Sequence, residues 1–190
     1  PDASVGPGAS IEAGVSVGAG CVIHGGARLY SGTRIGARVV VQANTVLGAV
    51  GQSYERDDDG EFLLMPHFAG IRIGDDARIG ANSTIVRGTL QDTEIGAASV
   101  LGNHVNVGHN VIIGQRSHIG AGSIVCGSSR LGDDCWLSPG VIIKSVALGN
   151  NVMVGTGAVV TKAVADDKFV TGFPAREAVK INDYNLRKGR

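Results

Sequence analysis

Aliphatic residues recur at every sixth position along most of the chain. The first run is Val5, Ile11, Val17, Ile23, Leu29, Ile35, Val41 and Leu47. Glycine follows the aliphatic at 6, 18, 36 and 48, and a small or β-branched residue stands four places on, at Ala9, Val15, Cys21, Ala27, Thr33, Val39 and Thr45. The register lapses after Leu47 and resumes at Ile73, Ile79 and Ile85. Two five-residue steps, through Leu90, lead to Ile95. A second run then covers Leu101, Val107, Ile113, Ile119, Val125, Leu131, Leu137 and Ile143, and a last short step gives Leu148, Val154 and Val160.

A period of six suits neither a 3.6-residue helix nor a heptad. It suits short strands joined by tight turns, each strand sending one aliphatic inward and glycine easing the turns. Three such units close a triangular coil of about 18 residues, the hexapeptide form of the parallel β-helix. The expected fold is therefore all-β, with about 24 repeats making roughly eight coils. The coil is expected over residues 1–162, with 48–71 as an inserted loop and 163–190 as a C-terminal extension holding a short helix within 175–186.

Composition supports this picture. The chain has 30 glycines, yet 43% of its residues are hydrophobic, more than a disordered glycine-rich chain carries. Aromatics are only 4%, so the core has to be aliphatic. The formal net charge is zero and there is no long basic run, although the end is basic at Arg187, Lys188 and Arg190; this argues weakly against nucleic acid as a partner. No apolar run reaches membrane-spanning length and no signal peptide opens the chain. Pro1 stands where an initiating Met would, which allows for a missing or processed upstream segment. The three cysteines lack metal spacing and point to a reduced, cytoplasmic protein. Cys21 and Cys135 fall at the small-residue position, and all three read as packing residues.

Two interruptions break the repeat. Segment 48–71 holds Tyr54, the acidic run 57–59 with Gly60, and then Phe62, Leu63, Leu64, Met65, Pro66, His67 and Phe68. Two extended arms around the acidic turn predict a hairpin standing off the coil, serving a site, a subunit contact or both. Segment 85–93 carries Arg87 and Asp92 and predicts a bulged corner with an Arg–Asp surface pair.

The chemistry concentrates in 101–119, which contains His104, His109 and His118. No cysteine or carboxylate cluster completes a metal set around them, so no metal is expected. A histidine titrates near neutrality and can take a proton from an amine or hydroxyl as it attacks a thioester. His109 is the expected general base, with Asn110 or a backbone carbonyl fixing its tautomer. Glycine-rich corners offer N–H groups for the oxyanion, such as those of Gly120 and Gly127.

The repeat resembles the left-handed β-helix of the hexapeptide-repeat acyltransferases over most of the chain. The resemblance implies the left hand, a homotrimer and acyl-transfer sites between subunits. The trimeric β-helix carbonic anhydrases of this architecture bind zinc through histidines, but their spacing would need a histidine where Gly114 stands. VNVGHNVIIG and RIGDDARIGANSTIVRGTLQDTEIG resemble the lipid A N-acyltransferases, which acylate a UDP-linked glucosamine. That match implies His109 as base and Asn103 as a polar partner, although Val86 replaces an aspartate of that pattern and the second histidine is missing near Ile143 and Lys144.

The later segments HNVIIGQRSHIGAGSIVCGSSRLGDDCWL and VGTGAVVTKAV…FVTGFPAR resemble the sugar N-acetyltransferases. This implies acetyl-CoA as donor and a nucleotide-linked amino sugar as acceptor. His118, Gly120, Gly127, Lys162, Gly172, Pro174, Ala175 and Arg176 would border the coenzyme. Asn82, Arg87, Asn103, His104 and Tyr54 would face the acceptor, and Tyr54, Phe62 and Phe68 are available to stack on a base. Some of these relatives carry an acid directly after the catalytic histidine; here it is Asn110. The acetyl ending favours acetyl transfer over the alternatives, which are an acyl-carrier-protein-dependent long-chain N-acyltransferase and a non-catalytic β-helix assembly module.

Overall fold

The computed structural model describes residues 2–172 and the backbone strand Arg176–Glu177. The chain winds a left-handed parallel β-helix of about nine turns. Three sheets form its faces, of ten, eight and seven strands. Each coil contributes one short strand to each face in turn, as with Val100–Leu101, Asn106–Val107 and Ile112–Ile113. Successive coils are in register: Leu101 lies beside Ile119 and Ile119 beside Leu137.

The six-residue period follows from the geometry of a triangle. The inward residue of each short strand of the coil is an aliphatic, and from Ile23 onward these stack into one buried column. The small residue four places on turns inward at the corner, where Cys21, Ala27, Val39, Ala77, Val105 and Cys135 are fully covered. Between them one corner residue takes a left-handed backbone, for example Asn44 (φ 58°), Asn82 (φ 56°), His104 (φ 58°) and Asn110 (φ 58°). Glycine, asparagine and aspartate tolerate that region best, which explains their recurrence there.

Corner amides that the strand ladder leaves unpaired are capped from the following coil. Asn103 Oδ1 accepts from the Ala81 N–H at 2.8 Å, and Asp133 Oδ1 accepts from the Gln115 N–H at 3.0 Å.

The inserted segment forms the expected hairpin, Tyr54–Arg56 antiparallel to Phe62–Leu64, with all six residues exposed. Three expectations need correction. Leu90 is not an inward step: it is 85% exposed, and the chain passes directly from Ile85 to Ile95 around a bulge. Arg87 and Asp92 do not pair. Asp92 instead meets Arg34 at 2.5 Å and Arg72 at 3.4 Å and accepts from the Gly70 N–H at 2.8 Å, while the Arg87 Nε–H donates to the Ala69 carbonyl at 2.7 Å. Asp92 therefore ties the returning arm to the coil. Finally, Arg176–Glu177 is a strand antiparallel to Val170–Thr171, where a helix over 175–186 was expected; the rest of that helix lies outside the described residues.

Strands continue beyond Lys162, with Val164 bridging to Leu148 and Phe169–Thr171 parallel to Met153–Val154.

Candidate active site at one corner of the coil

The departures from the repeat share one edge of the triangle. The insertion leaves after Val46–Ala49 on the eight-stranded face and returns at Ile71–Ile73 on the seven-stranded face. The bulge spans the same corner one coil later, between Thr84–Val86 and Thr93–Ile95. His109 and Asn110 occupy it in the next coil, between Asn106–Val107 and Ile112–Ile113. Gly127, Ser145 and Lys162 hold the equivalent place in the three coils after that, as the pairing of Val107, Val125, Ile143 and Val160 shows.

His109 is half-buried between three neighbours. Its ring lies over Gly127, where an added Cβ would come within 2.6 Å of Nε2. His67, from the returning arm of the insertion, meets it edge to face, with ring centroids 5.5 Å apart at 82°. Asn110 Nδ2 approaches its Nδ1 at 3.2 Å. The Asn110 side chain is itself held: its Oδ1 accepts from the Thr89 N–H at 2.7 Å, and Thr89 Oγ1 contacts both ends of the amide at 2.8–2.9 Å. The bulge thus brings Thr89 to Asn110. Burial, and then the nearby His67, hold the pKa of His109 below the ordinary histidine value.

His67 was not singled out from the sequence as a site residue. It is 8% exposed; its Nδ1 pairs with the Met65 carbonyl at 2.9 Å, and its Nε2 is buried without a hydrogen-bond partner among the described residues. The repeat gives no register for a residue in an insertion, so only its place at the end of the loop, in Pro66-His67-Phe68, signalled it. Around this cluster the chain exposes Met65, Phe68 and Leu90. The N–H groups of Phe68 and Ala69 both donate to the Thr89 carbonyl, at 2.8 and 3.1 Å, fastening the arm to the bulge.

The remaining site residues expected from sequence are distributed elsewhere. Asn82, Asn103 and His104 lie at the corner between the ten- and eight-stranded faces, not beside His109. There Asn103 caps Ala81, and Asn82 and His104 are left-handed corner residues. His118 is on the ten-stranded face, stacked on Trp136 at 4.2 Å and 17°. Its pKa is lowered by burial, against a smaller opposing pull from the Leu137 backbone. The Gly120 N–H is not available to an oxyanion, because it donates to the Leu137 carbonyl at 2.8 Å as part of the ladder. The Gly127 N–H has no backbone acceptor among the described residues. Arg87 is at the His109 corner, one coil earlier. Tyr54 lies on the hairpin, edge-on to Phe62 at 5.7 Å. Gly172 follows the last parallel strand with φ 100°, and Pro174, Ala175 and the Arg176 side chain lie outside the described residues. Cys126, next to Gly127, is half-buried, unlike the fully packed Cys21 and Cys135.

A stacked hexapeptide coil with an imidazole cluster at one corner defines a class, and the comparisons agree with it. The family described as the hexapeptide repeat of succinyl-transferase matches residues 18–49, 70–109 and 110–145, more than half of the chain, and the chain belongs to it. Within that family, the chain is 35% identical over 140 residues to a UDP-3-O-acylglucosamine N-acyltransferase of Delftia acidovorans, covering 73% of this chain and 42% of the relative. The corresponding enzyme of Bordetella pertussis is 35% identical over 141 residues, covering 72% and 39%. The chain thus spans about two fifths of the length of these relatives. Among solved structures, LpxA from Acinetobacter baumannii superposes with a TM-score of 0.84 at 24% identity, covering 93% of this chain and 67% of that one. At that identity the likeness establishes the fold.

Proposed function

We propose that the protein transfers an acyl group from a thioester to the amine of a UDP-linked, acylated glucosamine, with His109 as the catalytic imidazole. The observation that carries this reading is the junction of the insertion, the bulge and His109 at a single corner, in a chain whose relatives are named for that reaction. The reaction forms an N–C bond at the thioester carbonyl and breaks the C–S bond. The Gly127 N–H is a donor for the carbonyl oxygen as it gains charge.

The relatives favour the acyl-carrier-protein-dependent N-acyltransferase over the acetyl-CoA reading taken from the C-terminal motifs. The surface around the site supports the same choice. Met65, Phe68 and Leu90 are exposed beside His67 and Thr89, and an acyl chain laid over them would remove apolar area from water, whereas an acetyl group has nothing to place there. Both donors end in a phosphopantetheine, and Lys162 lies three coils from His109 along the same corner, about 14 Å at the usual strand spacing. Lys162 is the group proposed to meet the donor phosphate.

His118 lies on another face of the same chain and reaches such a site only from a neighbouring subunit, so its proposed part in donor binding goes with a homotrimer. Among the described residues no helix is long and apolar enough to cross a membrane.

The test offers the protein a long-chain acyl-[acyl carrier protein] or acetyl-CoA with UDP-linked 3-O-acylglucosamine, and reads released thiol. Activity with the carrier-protein thioester alone is expected. Activity with acetyl-CoA alone would return the assignment to N-acetyl transfer.

A further inference from the structure

A two-stranded hairpin is marginal on its own in water, and one with an apolar face needs a cover. The hairpin of the insertion has such a face. Its register sets Tyr54 opposite Leu64 and Arg56 opposite Phe62, so these four side chains share one side. Tyr54 meets Phe62 edge-on, and the Arg56 guanidinium lies over the Phe62 ring at 4.2 Å. Their outer surfaces stay open: Phe62 is 63% exposed, Leu64 48% and Tyr54 47%. The two strands pair only with each other. The hairpin and its tip also carry five carboxylates, Glu55, Asp57, Asp58, Asp59 and Glu61, against the one arginine. None of the five joins a salt bridge among the described residues.

The ten-stranded face offers the complement. Near the level at which the insertion returns to the coil, Arg78 points outward between Val40 and Val100, with Val22 beside Val40. Arg78 is exposed and forms no salt bridge among the described residues; Asp76, the acid it influences, is held by Arg38 at 2.7 Å. The three valines are partly exposed. The seven-stranded face differs: at similar levels it presents Arg34, Arg72 and Glu94, and Asp92 already takes both arginines.

These two surfaces cannot meet within one chain. The insertion leaves the corner between the eight- and seven-stranded faces, which is opposite the ten-stranded face. In a ring of copies turned about an axis along the coil, equal coils stand at equal heights. The arm of one copy then meets the next copy near the level of its own return, where Arg78 lies. A copy presenting its eight-stranded face instead would bring its own arm-bearing corner, and so set acid against acid.

We propose that the inserted hairpin docks on the ten-stranded face of a second copy of this chain. Tyr54, Phe62 and Leu64 lie over Val40 and Val100 of the partner subunit, and the acidic tip meets Arg78 of the partner subunit. The contact is heterologous, arm to face, so it passes from copy to copy around a closed ring. For the acyl-transfer reading above, docking also completes the site. The arm returns through His67 beside His109, and the face that receives it continues from Val100 to His118 in the next coil. His118 of the partner subunit is thereby carried toward the His109 corner.

Cysteine pairs on the full chain test the contact. Asp58→Cys/Arg78→Cys, treated with a short bismaleimide, is expected to give bands of linked chains on a denaturing gel. Asp58→Cys/Glu94→Cys, with its second cysteine at a similar height on the seven-stranded face, is expected to give none. The single variants set the background from the half-buried Cys126. Sedimentation velocity reads the strength of association. Phe62→Ser/Leu64→Ser is expected to raise the dissociation constant about tenfold or more, with far-UV circular dichroism unchanged because both residues are exposed. Arg78→Glu is expected to weaken association, and Asp58→Lys/Asp59→Lys in the same chain to restore it.

Cross-links at position 94 instead of 78, a monomeric wild type, or an apolar-arm variant that associates like the wild type each overturn the docking. So does an apolar-arm variant that only raises KM for the acyl-[acyl carrier protein], which would give this face to the carrier protein. Assembly is read without substrate, so a wild type that transfers no acyl group would remove the reaction proposed above and still leave the docking decided.

Discussion

Replacing Gly127 by alanine presses on His109 without touching it chemically. A Cβ at this position would lie 2.6 Å from His109 Nε2, 2.9 Å from Cε1 and 3.0 Å from Cδ2. Comfortable contact needs about 3.5 Å, so the ring edge has to retreat by about 1 Å. Gly127 is not among the residues with a left-handed backbone, so alanine fits its main chain without strain. The obstacle it meets is the end of a half-exposed side chain that can swing outward. Stability should therefore hold, with a melting temperature within a few degrees of the wild type.

Catalysis should not hold. A misplacement of about 1 Å at a reacting group costs about 10²-fold in rate, or ~2.7 kcal/mol. The assay is kcat/KM by thiol release, with far-UV circular dichroism and thermal melting on the same samples. A folded Gly127→Ala protein with wild-type kcat/KM would mean that His109 does not need its place over Gly127, and the site as drawn would be wrong.

Other perturbations have equally definite outcomes. Asp92→Asn removes the anchor that Arg34, Arg72 and the Gly70 N–H share. Burial opposes ionisation of Asp92, but these three partners outweigh it and hold the carboxyl below its usual pKa. Its contribution is thus present above the unfolded carboxylate pKa and lost as pH falls through the folded one: the variant should melt lower at pH 7, and the gap should close in acid, a gap that persists undiminished at pH 2 counting against the ion pairs. The single tryptophan, Trp136, stacks on His118, so its fluorescence should be quenched as that ring protonates. Because burial lowers the His118 pKa, the transition should fall below the ordinary histidine range and vanish in His118→Gln; a midpoint at or above 6.5 would contradict the buried stack. Ile119→Ala opens a cavity in the central aliphatic column and should cost roughly 2–5 kcal/mol in urea unfolding. A cost under about 1 kcal/mol there would mean that the column is loosely packed.

The fold could be read from the chain because its physics is local and repeated. The repeat aliphatics from Ile23 to Leu47, from Ile73 to Ile85 and, with one five-residue step at Leu148, from Ile95 to Val160 face inward because a flat two-residue strand leaves only one side chain for the core. The same rule placed Cys21 and Cys135 correctly. It failed at Leu90, where spacing alone cannot distinguish a short step from a bulge that carries an apolar residue outward.

The site was legible only in part. His109 stood out as a titratable residue in a scaffold position, but the period says nothing about which corner a residue occupies relative to others. Asn103 and His104, six and five residues away in sequence, turn a different corner. His67, 42 residues away in sequence, touches His109 because the insertion returns to the corner it left. Likewise the Gly120 amide looked free in sequence and is consumed by the ladder, which pairs the residue just after each inward aliphatic.

The common corner also works as a ruler. His109, Gly127, Ser145 and Lys162 mark it at intervals of one coil, each about 4.8 Å. The spacing of these backbone positions can change only in whole steps, because a coil is either present or absent. Removing one complete coil between residues 127 and 145 would keep every face in register and bring Lys162 one division closer to His109. With Lys162 on the donor phosphate, as proposed above, the length of donor between it and His109 would be set by counting turns, with no need to reshape a pocket.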